Sequence, residues 1–248
     1  MPIGAFLIYF GLPIFLQSTL LWLLLRRNAV HDNPWFVSYT VFSIAATILR
    51  LIVFRDAAIY FYLYWAGQAI YAILSLLVLY EVFESMFRHY FRLWWFKSLF
   101  PATALVAVSV AILRSASAHP TLDEKITHFV LAFEFGVRLV QGGFFVVLWF
   151  LVWLTGIRWR QYPLGISTGF GAHATFLLLA SLLRSEFGTK FNFLLIYGSL
   201  AAYILALLIW LWYYSSPQPP DPERDPVPPL SREDLDHYLA AIRKIRGS

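Results

Sequence analysis

Glu134, Arg138 and Gln141 lie between two apolar runs, "KITHFVLAF" before them and "FFVVLWFLVWL" after them. On a helix, positions four apart share a face, so this carboxylate and guanidinium can pair, and Gln141 follows one turn later. An unpaired charge at membrane depth costs at least about 2.5–3.5 kcal/mol on insertion scales, so the three side chains should turn inward. Two kinds of chemistry fit. In one, the ion pair fixes helix packing and Gln141 satisfies spare donors. In the other, the group lines an outward-facing pocket for a small ligand or ion.

Other polar residues could join them. Tyr60, Tyr64, Gln68 and Tyr71 recur at helical spacing along one face. Arg50, His173, Asn192 and Tyr203 are further neighbours by expected depth. Glu81 follows "LLVLY" with no charged partner one turn away, which suits proton coupling or a carboxylate snorkelling toward water. Glu84 and Arg88, one turn apart, can pair on a helix surface.

His173 in "GFGAHATF" is the one histidine expected deep in a helix. Haem or metal ligation needs a second ligand at comparable depth, so neither a metal nor another cofactor is expected. The absence of cysteine excludes disulfides, thiolate metal sites and cysteine catalysis. "FESMFR" and the later "FGAH" are similar to motifs of CAAX-type intramembrane proteases. Phe83, however, stands where an adjacent glutamate belongs, and no later histidine or asparagine motif follows. With no HExxH, GxSG or phosphate-cradling loop either, an enzyme is not expected.

The elements that must position these groups are written in the composition. Of 248 residues, 60% are hydrophobic and 13% charged, against roughly 45–50% and about 25% in soluble domains. Lipid must therefore cover much of the surface, and the net charge of +5 reads as membrane flanks rather than nucleic-acid binding. A spanning helix needs about 20 apolar residues. Seven stretches qualify: 3–25, 35–54, 58–84, 95–113, 126–155, 163–183 and 191–214. The sixth is the weakest, being rich in glycine and small polar residues. With the N-terminus outside, nine basic residues fall inside against six outside, the direction that the positive-inside rule expects. Gly165 and Gly169 form GxxxG, which predicts close approach of the fifth and sixth stretches.

Composition changes at Pro217. "SSPQPPDPERDPVPPL" holds seven of the 13 prolines and should be an extended, semi-rigid spacer. After it, Ser231 and Asp234 have capping-box spacing, and Leu235, Leu239 and Ile242 make an apolar stripe suited to docking a partner. The expected architecture is an all-α integral membrane bundle of seven helices over 1–214, N-terminus outside and C-terminus cytoplasmic. A Pro-rich spacer (215–230) and a short amphipathic helix (231–248) complete it.

In helix count, orientation and short loops, residues 1–214 resemble uncharacterised seven-helix bacterial membrane proteins and the seven-helix sensory modules of bacterial histidine kinases. The resemblance implies a multi-pass protein of the plasma (inner) membrane that acts as a sensor. No kinase domain follows, so the terminal helix would recruit a separate output protein. The expected partners are the bilayer, that cytoplasmic protein, and a small molecule arriving from outside. A transporter or channel, and a structural subunit of a membrane complex, are the alternatives.

Overall fold

In the computed structural model, the described residues are 10–87, 98, 100–106, 109, 113, 122–155 and 161–217, and they contain helices and turns but no strand. The terminal helix with Leu235, Leu239 and Ile242 lies outside them, as does Arg88. Helix α1 (Leu12–Arg26) leads through a turn to the short α2 (Ala29–Asp32). Asn28 makes that turn with φ of 58°, a left-handed conformation that asparagine tolerates better than most residues. Then follow α3 (Pro34–Ile52), α4 (Ala57–Met86), α5 (Leu122–Thr155), α6 (Gln161–Phe187) and α7 (Ser199–Ser215). A 3-10 turn (Gly188–Phe191) and a π turn (Leu194–Gly198) join α6 to α7. Residues 100–106 are also helical.

Local chemistry explains the boundaries. Pro34 opens α3, where its missing N–H goes unneeded. Asp56 caps α4, its carboxylate accepting from the Ala58 and Ile59 amides at 3.1 Å each. Arg27 donates to the Ser215 carbonyl at 3.2 Å, closing the last turn of α7 with a cation.

Among the described residues, four helices are long and apolar enough to cross a membrane: Pro34–Ile52, Ala57–Met86, Phe129–Phe150 and Gln161–Arg184. The glycine-rich sixth stretch is thus a full-length helix. Leu12–Arg26 and Ser199–Ser215 are apolar but shorter. Residues 1–9 fall outside the described set, and the π turn divides the seventh stretch.

The helices close into a ring in which α1 touches α3 and α7, with α4, α5 and α6 completing the circuit. Neighbours alternate in direction except at two places. Gln17 meets Tyr203 while Arg27 meets Ser215, so α1 and α7 run parallel. Ala72 packs with Phe133 and Val137 while Phe83 packs with Phe144, so α4 and α5 also run parallel.

Aromatic rings fill the centre at one end. Phe36, Tyr39, Phe170, Trp210 and Tyr214 form a continuous set, with Phe36 edge-on to Trp210 at 5.1 Å and Tyr162 stacked on Tyr214 at 4.4 Å. Pairs of this kind add about 0.5–1.5 kcal/mol each beyond burial. The outside is the reverse of a soluble protein's. Phe15, Trp22, Ile52, Trp153, Leu182 and Trp212 are among many large apolar side chains left exposed. An apolar belt around a bundle this hydrophobic suits a membrane protein.

The glycine motif has a different partner from the one expected. A Cβ on Gly165 would collide with the Tyr213 ring, and one on Gly169 with Trp210 Nε1. Both therefore admit aromatic rings of α7, not the face of α5. The contact with α5 falls to Gly171, where a Cβ would collide with the side chain of Phe145. GxxxG announces a close approach but does not name the approaching helix. Trp210 Nε1 also donates to the Ile166 carbonyl at 3.2 Å, which fixes the ring in its notch.

Replacing Gly169 with alanine should cost roughly 1–3 kcal/mol, because the Trp210 ring has nowhere to move. Gly143→Ala meets nothing within 4 Å and should be neutral or mildly stabilising. Denaturant titration of both variants in detergent micelles measures the difference.

Candidate functional site

One serine hydroxyl gathers four helices. Ser43 on α3 is 2% exposed, and its Oγ accepts from Gln17 Nε2 of α1 at 2.8 Å and from Tyr71 OH of α4 at 3.1 Å. Tyr203 OH of α7 lies 3.0 Å from the same Oγ and 2.5 Å from Gln17 Nε2. Interhelical hydrogen bonds in membranes are worth about 0.6 kcal/mol each on average. Their joint effect is to fix where α1, α3, α4 and α7 meet.

Seven residues on, two helical turns along the same face of α3, stands Arg50. Helical side chains lean toward the N-terminus, which here directs Arg50 away from the near end of α3 and into the bundle. Its guanidinium carbon lies 5.2 Å from the centre of the Tyr64 ring and 5.7 Å from that of Tyr71. Gly67 makes this possible, since a Cβ there would sit 3.0 Å from Arg50 Nη2. Gly67 is ten residues into α4, or about 15 Å along its axis. The head group thus lies well inside. Arg50 Nε and Nη2 are both buried and have no hydrogen-bond partner among the described residues.

Arg138 Nη2 and Glu134 Oε2 on α5 form the expected pair at 3.2 Å, with Glu134 14% and Arg138 27% exposed. Arg50 is within electrostatic range of the same carboxylate, and the charge of Arg138 acts on His173. The His173 ring of α6 lies 5.8 Å from that of Tyr203. Six helices of the ring therefore contribute polar groups to one region.

Most of the predicted residues come together here. Tyr64 accepts from Gln68 Nε2 at 3.1 Å and stacks on Tyr60, while Tyr71 belongs to the serine hub. Gln141 is buried on α5 but makes none of the hydrogen bonds that join the cluster. Asn192 is outside those bonds too, with its Oδ1 buried and unpartnered. Gln17 and Ser43 were not expected. Gln17 carries a weak signal, as the one amide in the first apolar stretch. Ser43 carries none, because helical serines commonly bond only to their own backbone.

Glu81 lies elsewhere, fourteen residues and about 21 Å along α4 from Gly67. It is not the unpartnered carboxylate that the sequence suggested. Its two oxygens accept from the Trp35 and Phe36 amides at 3.2 Å each. Asn33, the residue before α3, makes no side-chain cap, so Glu81 supplies one from a different helix. A carboxylate against the positive end of a helix is favourable both as acceptor and as charge.

No family model, curated protein or solved structure matches this chain.

Two stability predictions follow from this geometry. Glu81→Ala should lose roughly 1–3 kcal/mol, with Glu81→Gln losing less because one acceptor oxygen survives. Ser43→Ala should lose roughly 1–2 kcal/mol, whereas Ser38→Ala, whose hydroxyl is exposed, should be neutral. Equal losses at Ser43 and Ser38 would contradict the hub.

Proposed function

We propose that this chain is a seven-span sensor of the plasma membrane, receptor-like in layout, with its N-terminus outside and its C-terminal tail in the cytoplasm. A small ligand arriving from outside occupies the polar cluster. The last helix carries the response to the Pro-rich spacer and the terminal helix, which recruits a cytoplasmic output protein.

The observation that carries this reading is the membership of α7 in the cluster. Tyr203 shares the Ser43 hub with α1, α3 and α4, and the same helix runs on to Ser215, where the spacer begins. A change at the hub therefore has a direct mechanical route to the tail. The span count has its own support. α4 and α5 run parallel, which is the arrangement that a spanning stretch at 95–113 between them would require. The exposed apolar belt and the positive-inside bias fit the same layout.

The native chain has no cysteine, which makes single-cysteine labelling clean. Ser117→Cys should react with an impermeant maleimide in intact cells, and Ser248→Cys only after permeabilisation. Both reacting from one side would defeat the topology. Deleting 218–248 should abolish crosslinking to cytoplasmic protein while leaving the fold intact. Transport of a solute that survives the deletion, with no tail-dependent crosslink, would favour a carrier instead.

A further inference from the structure

We infer that Arg50 is the anchor of a binding site for a small organic carboxylate. The inference deepens the ligand-site reading above and rests on it, since it names the chemical class that the cluster would hold.

Charge balance comes first. The inner ends of Arg50, Glu134 and Arg138 place two guanidinium groups and one carboxylate in the same intramembrane region. Glu134 is already engaged by Arg138 at 3.2 Å. Among the described residues, one carboxylate neutralises one cation, which leaves a single positive charge at Arg50. Tyr64 and Tyr71 soften that charge through their ring faces, but they accept no hydrogen bond from Nε or Nη2.

The identity of the unfilled atoms narrows the ligand. Nε–H and one Nη2–H lie on the same edge of the planar guanidinium and point in parallel. That edge is the two-donor fork that a carboxylate fills with both oxygens. A carboxylate meets each N–H with its own oxygen in near-linear geometry, whereas a spherical anion has to share one centre between the two donors at bent angles. Both atoms are buried and unpartnered, so the edge is a complete, unused recognition element. The flanking tyrosine rings supply apolar faces for the body of such a ligand, and the missing Cβ of Gly67 leaves room for the Nη2 end of the guanidinium beside α4. The ligand is thus a monocarboxylate, bound by its carboxyl end with its carbon frame among the rings.

The full-length protein in detergent micelles is titrated with acetate and benzoate, with acetamide and benzamide as neutral isosteres and sodium chloride as a simple anion. Thermal unfolding and calorimetry are the readouts. At least one carboxylate should bind and raise the unfolding temperature, while its amide does not. Arg50→Lys keeps the charge but lacks the fork, and it should weaken binding by about tenfold or more. Gly67→Ala puts a methyl group 3.0 Å from Nη2 and should also weaken binding, which covers the case in which the lysine variant does not fold. Ser38→Ala, whose hydroxyl is exposed and outside the cluster, should bind like the parent protein. The proposal is overturned if neither carboxylate binds, if the amides or chloride reproduce the shift, or if Arg50→Lys binds unchanged. Deleting 218–248 leaves the site intact and should not alter affinity. Carboxylate binding without any effect on tail crosslinking would refute the sensor reading alone. Tail-dependent recruitment without carboxylate binding would refute the ligand class alone.

Discussion

Hydrocarbon offers no hydrogen bonds, so every donor and acceptor inside a membrane bundle has to be satisfied by the protein or by something the protein binds. Two solutions coexist in this chain. At one end, Glu81 of α4 closes the open amides of α3, a helix start that its own Asn33 leaves uncapped. Nearer the other end, Ser43 draws in Gln17, Tyr71 and Tyr203, so that four helices share one set of hydrogen bonds. Arg50 is the charged member of a small group of buried side chains with polar atoms left unpartnered among the described residues, the others being Gln17, Gln161, Ser167, Asn192 and Tyr214. It lies one face-repeat from the hub with the donors of one edge unused, and the interest of the fold concentrates there.

The aromatic set and the polar set divide the interior between them. Phe36, Phe170, Trp210 and Tyr214 hold the half that contains Glu81, and the hydroxyls and arginines hold the other. Tyr39 and Tyr71, whose rings meet at 5.7 Å, stand at the boundary. Apolar packing gives the ring of helices its cohesion, and the polar half gives it a defined register. A polar group whose partner is lost in this setting leaves an unsatisfied partner behind, so the hub specifies one arrangement more strongly than its modest bond energies suggest.

How far this could be read from the chain depended on whether the signal was local. Helical character and lipid exposure follow from composition and run length, which any window samples. The Glu134–Arg138 pair was legible because both partners lie within one turn, and Tyr64, Gln68 and Tyr71 because they repeat on one face. Ser43 was invisible, since its meaning comes from residues 26, 28 and 160 positions away. The partners of Glu81 were equally hidden, being backbone amides 45 and 46 residues earlier, which no side-chain pattern records. The GxxxG pair advertised a groove but not its occupant.

That groove constrains how α7 can move against α6. Trp210 and Tyr213 sit as two teeth in the notches left by Gly169 and Gly165, and Trp210 is pinned further by its bond to Ile166. Sliding α7 along its own axis would lift both teeth out together, at the cost of a large clash with α6. Pivoting about the toothed segment disturbs neither. The geometry therefore favours a lever over a piston, with its fulcrum close to the Ser215 end of the helix.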